Sequence, residues 1–145
     1  MIRALEPADY GRVIAVVDEW WGGRAMAAML PKLFFVHFQD TSFAWEEDGE
    51  LYGFLCGFRS QTFADEAYIH FVGVDPAQRG RGIARSLYER FFAAVAPCSV
   101  VRAVTSPLNE RSVAFHRALG FEVERVDDAY DGRGEARVLL VWRRA

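Results

Sequence analysis

The chain has 145 residues, of which 52% are hydrophobic, and its formal net charge is −3 at neutral pH. The length suits one domain with a substantial core, and the mixed, slightly acidic charge argues against general nucleic-acid binding, which needs a basic surface. No apolar run reaches the roughly 20 residues that span a bilayer, and the first ten residues lack a signal-peptide pattern. We therefore expect a single cytoplasmic domain over residues 1–145, without a membrane or nucleic-acid partner.

Cysteine usage argues against a metal site. Cys56 and Cys98 are the only cysteines, and neither has a second cysteine or a histidine at the spacing of a structural zinc site. Both lie in apolar surroundings, so we expect buried free thiols and no bound metal.

The first 40 residues predict a short strand and two helices. "MIRAL" is the strand, and Glu6-Pro7-Ala8-Asp9 opens a helix whose apolar stripe runs to the tryptophan pair before Gly22-Gly23. A second helix is expected roughly from Arg24 to Phe38, with Pro31 bending or interrupting it.

The rest of the chain predicts three strands, a helix, a strand, a helix and two strands. A hairpin turns at Glu47-Asp48-Gly49, and the buried strand "EAYIHFVGV" follows it. Helices are expected from Gly80 to Ala96 and from the Ser106-Pro107 cap to Gly120, separated by the strand "SVVRAVT". "FEVERVD" and "EARVLLVWRR" are the last strands. This order predicts a mixed sheet with helices packed on it.

A Gly-Arg-Gly turn joins a buried strand to the longest predicted helix, in the stretch "VDPAQRGRGIA". Glycines let a backbone approach an anion closely, and the first N–H groups of a helix have no internal partner. Arg79, Arg81 and Arg85 add positive charge. A pyrophosphate ligand is therefore expected here. The pattern is not a Rossmann fingerprint, because Arg85 stands where the third glycine would be, and it is not a Walker loop.

The chain resembles the GNAT superfamily of acetyl-CoA-dependent N-acetyltransferases at two motifs. Val74-Asp75-Pro76 and the Arg79–Ala84 run match the family's strand end and phosphate turn, although Ala77 stands at a position usually held by Gln or Arg. The later signature, an Asn followed by an aromatic residue and Gly-Phe, reads from Asn109 to Phe121. Both motifs occur in the family's order, and the predicted elements fit the family over the whole chain.

The resemblance implies an α/β (α+β) GNAT fold, with a mostly antiparallel mixed sheet of about seven strands, one splayed parallel pair and helices on both faces. It also implies acetyl-CoA as co-substrate, bound by the backbone and side chains along these two motifs. The implied cofactor-binding residues are Phe71, Val72, Gly73, Val74, Arg79, Gly80, Arg81, Gly82, Ile83, Ala84, Asn109, Ser112, Phe115 and His116.

Acetyl transfer to an amine benefits from a general base and a general acid. The family often places a tyrosine acid where this chain has His116, so an imidazole acid is one hypothesis. On the strand before the turn, the positions usual for the base hold His70 and Tyr68, with Glu66 as the alternative base. A histidine satisfied within the core is the competing interpretation of His70.

The acceptor side is least determined. The connection between the first two helices shapes the acceptor pocket in the family, which makes Asp18, Trp20 and Trp21 candidates, and Thr105 could line the same cleft. A core tryptophan and solvated acids remain the alternative. We expect a primary amine of a small molecule or protein as acceptor, and a homodimer by family habit. A non-catalytic acyl-CoA-binding module and transfer of a longer acyl group are the competing functions.

Overall fold

The computed structural model describes all 145 residues. The strands are β1 (Ile2–Ala4), β2 (Phe43–Glu47), β3 (Glu50–Arg59), β4 (Glu66–Val74), β5 (Val100–Thr105), β6 (Glu122–Asp127) and β7 (Arg137–Arg143). The helices are α1 (Asp9–Ile14), α2 (Val17–Trp20), α3 (Leu33–His37), α4 (Ile83–Ala94) and α5 (Glu110–Ala118). The strands form one sheet in the order β1-β2-β3-β4-β5-β7-β6, mostly antiparallel with one parallel pair. The predicted fold class is confirmed.

The predicted strands agree with the structure, but the first two helices differ. The single first helix is two short helices that meet at residues 15–16, although no proline or glycine interrupts the sequence there. The predicted helix from Arg24 to Phe38 is mostly wrong: a 3₁₀ turn (Ala27–Met29) precedes Pro31, and only α3 follows. Pro31 interrupts the segment as expected, because proline cannot donate the backbone hydrogen bond of a helix interior.

The predicted start of the last helix is also wrong. Ser106-Pro107 was expected to cap it, but α5 begins three residues later with Asn109 as its N-cap. The Asn109 side chain accepts a hydrogen bond from the Ser112 N–H at 3.1 Å, while Ser106 Oγ caps a separate turn by accepting from the Leu108 N–H. Both residue types suit a helix cap, and Asn109 is the one whose oxygen reaches the first helical turn.

The chain divides into two compact units, and the first comprises Met1–Phe58 and Ile69–Val95. Its β3 strand separates two packing layers. Phe54 is fully buried in the aromatic core that includes Phe35 and Phe71. The neighbouring residue, Gly53, faces the other way: a Cβ atom there would lie 2.8 Å from Cγ2 of Ile83 in α4. Helices therefore cover both faces of this part of the sheet.

The second unit comprises Arg59–Tyr68 and Ala96–Ala145. In it β7 pairs antiparallel with both β5 and β6. Phe121 and Leu140 are buried there, at 2% and 1% exposure. Strands β5, β7 and β6 of this unit form one end of the sheet.

Neither cysteine is paired. Cys56 and Cys98 are both buried free thiols, as predicted, and burial raises the pKa of Cys56 well above its ordinary value. No group of three His, Cys, Asp or Glu side chains is arranged to hold a metal ion. None of the helices has the length and apolar character that crossing a bilayer requires.

A buried ion pair fixes the start of α1 against β1. Asp9 is 2% exposed and accepts two hydrogen bonds from Arg3, at 2.7 and 2.8 Å, and one from the Glu6 N–H at 2.8 Å. Burial by itself would raise the pKa of Asp9, but the bonds from Arg3 and Glu6 outweigh it and the pKa lies below its ordinary value. The ionised carboxylate therefore stabilises the fold at neutral pH, and this contribution is lost as the pH falls through the lowered pKa.

We expect Asp9→Asn to lower the free energy of unfolding at pH 7 by about 2 kcal/mol, because it removes the charge that pairs with Arg3 while leaving Arg3 half-buried. Urea denaturation measures the change. Asp40→Asn, at an exposed aspartate with no ion pair, is the matched control and should cost less than about 0.5 kcal/mol. An Asp9→Asn variant as stable as the wild type would show that the pair contributes nothing net.

Candidate active site

β4 carries the candidate base residues, and burial alternates along it as a simple strand predicts. Ala67, Ile69, Phe71 and Gly73 are buried, as alternation requires. However, the consecutive residues His70 and Phe71 both contact aromatic rings of the same core. His70 stacks on Phe34, and Phe71 packs against Trp21 and Phe54.

Gly73 lies directly beneath the Trp21 ring. A Cβ atom at Gly73 would be 2.7 Å from two carbons of that ring and 2.7 Å from Cε1 of Phe54, a separation that real Cβ atoms do not show. The glycine in this strand is therefore required by a close approach of Trp21. Trp21 also contacts Phe71, with ring centroids 4.8 Å apart. Trp21 thus covers the β4 segment to which the family resemblance assigns the cofactor contacts.

His70 is held in one orientation and one neutral tautomer. Its ring is parallel to Phe34 within 4°, at a centroid distance of 4.9 Å. Its Nε2 lies 2.7 Å from the carbonyl oxygen of Met29. Because a carbonyl only accepts, Nε2 carries the proton, and Nδ1 of the neutral ring holds a lone pair. No hydrogen-bond partner occupies Nδ1, so it is available to accept a proton.

Glu66 and Tyr68 are more constrained. Glu66 Oε1 accepts a hydrogen bond from Nε of Arg102 at 2.7 Å, and this guanidinium also pairs with Glu124 at 2.8 Å. Glu66 must break this ion pair before that oxygen can take a proton. Burial raises the pKa of Tyr68 far above its ordinary value, and Tyr130 and Asp131 add to the effect. Tyr68 therefore stays a protonated phenol at neutral pH and cannot act as a base there.

The Gly-Arg-Gly turn has the geometry of an open anion site. Gly80 and Gly82 have φ values of +85° and +77°, which L-residues rarely adopt, and no protein atom lies within 4 Å of where a Cβ would stand on either. Gly82 is the N-cap of α4 and supplies no side-chain cap. The first helical bond runs from the Ser86 N–H to the Gly82 carbonyl, which leaves the preceding N–H groups without an acceptor. These donors and the positive end of the 12-residue helix suit a phosphate.

The three arginines of this region are not equivalent. Arg81 donates to Glu47 and to Gln78, both at 2.6 Å. Arg79 donates from Nη2 to the carbonyl oxygen of Trp20 at 3.3 Å. Only Arg85, in the first turn of α4, has no hydrogen-bond or ion-pair partner. The protein therefore already engages two of the charges that the sequence assigns to the phosphate.

The other predicted cofactor residues differ in how far their side chains are buried. Ile83 is 2% exposed and its side chain packs on β3, so only its backbone N–H is placed to meet a ligand. Val72, Val74 and Ala84 are half-buried. In the second unit, Phe115 is half-buried and stands edge-on to the neighbouring His116 ring.

α5 brings the polar residues of the second motif together. Asn109 caps the Ser112 N–H, and the Ser112 carbonyl oxygen lies 2.7 Å from Nδ1 of His116. His116 is 7% exposed and meets the Phe121 ring edge-on. The carbonyl partner places the proton of the neutral ring on Nδ1, so Nε2 carries none. Burial lowers the pKa of His116, although the bond to Ser112 opposes this. The neutral ring has no Nε2 proton to donate, so an acid role requires prior protonation of a disfavoured site.

The lowered pKa of His116 predicts a pH dependence of stability. The unfolded chain binds a proton at its ordinary histidine pKa, near about 6.5, while the folded ring stays neutral to lower pH, so stability falls as the pH drops through this range. We expect the unfolding free energy to fall less between pH 7.5 and 5.5 in His116→Gln than in the wild type. Urea denaturation at both pH values tests this, with His37→Gln, at an exposed histidine, as the control that keeps the wild-type loss. Equal losses in all three proteins would contradict the interpretation.

The candidate acceptor residues fall in different environments. Asp18 Oδ1 accepts hydrogen bonds from the Met26 and Ala27 N–H groups at 2.8 and 2.9 Å and so closes the loop after α2. Trp20 is buried against Phe54, and Thr105 is half-buried at the end of β5.

A cavity of about 460 Å³ lies within the first unit and includes only one of these candidates, Trp20. Three carboxylates and one guanidinium line it, together with aromatic and small apolar groups. The lining residues are Arg12, Val16, Glu19, Trp20, Glu50, Leu51, Tyr52, Asp75, Pro76 and Ala77.

Several partners of the site residues carry no local sequence signal. Phe34 and the Met29 carbonyl orient His70, Glu47 holds Arg81, and Arg102 holds Glu66. Each comes from a different element of the chain. In the sequence, Glu47 and Arg102 are only two of many charged residues that could pair with Arg81 and Glu66. No sequence feature near Met29 indicates that its carbonyl group would bind His70.

The model of the acetyltransferase (GNAT) family matches residues 8–121 of this chain. The chain belongs to this family. It is 33% identical over 78 residues to a 5-NmdU N-acetyltransferase of Pseudomonas phage PaMx11, covering 54% of each chain. It is 30% identical over 88 residues to the L-2,4-diaminobutyric acid acetyltransferase of Halalkalibacterium halodurans (strain C-125), covering 59% of this chain and 47% of that one. The chain thus spans about half the length of the curated relatives it matches.

Solved structures share the whole fold. The GNAT-like decarboxylase GphF, solved in complex with isobutyryl-CoA, superimposes with a TM-score of 0.81 over 99% of this chain and 98% of its own. The sequence identity is 18%, so this likeness concerns the fold alone.

Proposed function

We propose that this protein is an N-acetyltransferase that moves an acetyl group from acetyl-CoA to a primary amine, and that residues 1–145 work as one catalytic domain. The observation that carries the proposal is the turn before α4. Its two left-handed glycines face open space in front of an uncapped helix end, and Arg85 stands beside it without a partner. Membership of the GNAT family supports the same assignment. The family model matches residues 8–121, which include parts of both compact units.

The residues of the turn, of β4 and of α5 fit acetyl-CoA. The turn would bind the pyrophosphate through the free N–H groups of α4, with Gly80 and Gly82 admitting it closely. β4 from Phe71 to Val74 would line the path toward the thioester, and a backbone N–H at Gly73 or Val74 would polarise the carbonyl. Asn109 and Ser112 are the proposed contacts on α5. Acetyl-CoA supplies an activated acyl thioester.

His70 is the general base of this proposal. The amine must lose a proton as its nitrogen forms the C–N bond, and the C–S bond breaks to release the CoA thiolate. Nδ1 of His70 has the lone pair to take that proton directly or through a water molecule, while Nε2 is fixed on the Met29 carbonyl. Glu66 is the less favoured alternative because its oxygen is held by Arg102.

The proton for the thiolate has two candidate sources. Tyr68 keeps its phenolic proton, but its raised pKa makes it a weak acid toward a thiolate, whereas His116 must first become a cation at Nε2. His116 as the acid therefore remains a hypothesis that predicts higher activity toward acid pH. His116→Phe should keep acetyl-CoA binding, and unchanged turnover in this variant would remove His116 from the acid role.

The acceptor is proposed as a primary amine of a small molecule or protein. The acidic lining of the 460 Å³ cavity favours a positively charged amine, and Trp20 would supply aromatic surface for it. A homodimer and a cytoplasmic location are further expectations, the first tested by light scattering. The alternative function, an acyl-CoA-binding module without catalysis, has no use for a base, and the free lone pair on His70 counts against it.

The deciding experiment measures thiol release from acetyl-CoA with a panel of amines. The panel comprises L-2,4-diaminobutyrate, polyamines, aminoglycosides, arylamines and peptides with free N-termini, and thermal shift with acetyl-CoA runs in parallel. Amine-dependent release establishes the activity and its acceptor class. Stabilisation by acetyl-CoA without release from any amine supports the binding module, and the absence of both contradicts the cofactor assignment.

A further inference from the structure

We infer that Arg79 is a positioning residue that joins the phosphate turn to the segment of residues 20–24, so that an anion bound at the turn orders Trp21 over β4. The inference rests on the proposed binding of acetyl-CoA at this turn. It concerns a part of the site that the phosphate contacts themselves do not reach.

The first step is the end of α2. This helix has only four residues, and the N–H groups of residues 21–23 bond to the carbonyl groups of Val17, Asp18 and Glu19 but not to that of Trp20. The Trp20 carbonyl oxygen accepts its hydrogen bond from Nη2 of Arg79 at 3.3 Å. No other donor reaches this oxygen. Arg79 therefore satisfies a helix end that lies 59 residues away in the sequence.

The second step is the position of Trp21. It directly follows the Trp20 carbonyl, and its ring packs against Phe71 and over Gly73, where a Cβ would be 2.7 Å away. Two glycines in the left-handed region, Gly22 and Gly23, come next, at φ +69° and +89°. The N–H groups of Trp21, Gly22 and Gly23 bond to carbonyl groups of α2 and hold the segment locally, so a tie from outside would link it to the phosphate turn. The bond from Arg79 is such a tie.

The third step is the geometry of the guanidinium. Arg79 immediately precedes Gly80 and is exposed. A guanidinium has five N–H donors in a planar fork, so one donor can remain on the Trp20 carbonyl while others meet a phosphate oxygen. An anion that fixes the guanidinium from one side lowers the entropic cost of keeping its other donor on the Trp20 carbonyl, because the side chain is already ordered. Binding at the turn is thereby transmitted to the ring that covers Gly73.

Hydrogen exchange of residues 20–24 tests the inference with free CoA as the probe. In the ligand-free protein we expect Arg79→Ala to raise exchange of these amides about fivefold, the effect of losing one ordinary hydrogen bond. Arg85→Ala, the matched control in the first turn of α4, should leave the exchange rates of these amides unchanged. With CoA at saturation, verified for each protein by titration, these amides should gain protection in the wild type and in Arg85→Ala but not in Arg79→Ala. Arg79→Lys, which keeps the charge and one donor, should regain part of the protection.

The outcomes separate the two proposals. Unchanged exchange in ligand-free Arg79→Ala, or equal protection by CoA with and without the arginine side chain, overturns the role of Arg79. A wild type that binds no CoA contradicts the proposed function instead, and the ligand-free comparison still decides whether Arg79 holds the segment.

Discussion

Replacement of His70 with glutamine is expected to lower kcat by about 100-fold, the lower range for loss of a general base. Glutamine keeps a donor for the Met29 carbonyl and much of the packing on Phe34, so the fold and the KM for acetyl-CoA should change little. What glutamine lacks is a nitrogen with a lone pair that can accept the proton of the amine. The loss should therefore appear in kcat and in the shape of the pH–rate profile.

The profile of kcat/KM gives the sharper test. In the wild type we expect kcat/KM to rise with pH along a limb set by the general base, and in His70→Gln this limb should vanish. His37→Gln removes an exposed histidine and should retain both the rate and the limb. A His70→Gln variant with the wild-type profile would exclude His70 and return attention to Glu66.

Gly82→Ala is expected to raise the KM for acetyl-CoA about tenfold, the second large effect, since a contact worth about 1.4 kcal/mol changes affinity by that factor. The new methyl group points into the open space before α4, where no protein atom lies within 4 Å, and so would meet the ligand. The left-handed backbone also costs about 1–2 kcal/mol for a residue with a Cβ, which should appear in urea denaturation.

A second glycine separates these two effects. Gly134 has φ +78°, almost the value of Gly82, and is also open to at least 4 Å. Gly134→Ala should therefore cost similar stability without changing the KM for acetyl-CoA. If both variants raise this KM equally, the effect of Gly82→Ala is a general loss of stability and the turn is not the phosphate site.

The sequence predicted the order of strands and helices because each strand is a short apolar run bounded by turn residues. It failed in the first two helices, where an apolar stripe from Val13 to Trp21 is continuous although the backbone breaks at residues 15–16. Nothing local causes this break, and packing of Val13, Val17 and Trp20 into one core accommodates it. The start of α5 was missed because Ser106 and Asn109 are equally good caps in isolation.

The candidate site likewise has one part that the sequence predicted and one part that it did not. The phosphate turn was predictable because its glycines, arginines and following helix are contiguous, and their chemistry is local. The state of each candidate base was not, because it depends on partners from distant elements. Met29 determines which nitrogen of His70 holds the lone pair, and Arg102 determines whether Glu66 is occupied. Such contacts arise only after the chain has folded.

The ion pair between Glu47 and Arg81 bears on how quickly the product would leave. If the phosphates of CoA engage Arg81, they compete for its guanidinium with Glu47, 2.6 Å away, and the carboxylate charge offsets part of the binding energy. The cost applies equally to acetyl-CoA and to the CoA that remains after transfer, because both carry the same phosphates. A carboxylate that competes for the guanidinium therefore shortens the residence time of spent CoA and favours turnover over tight binding.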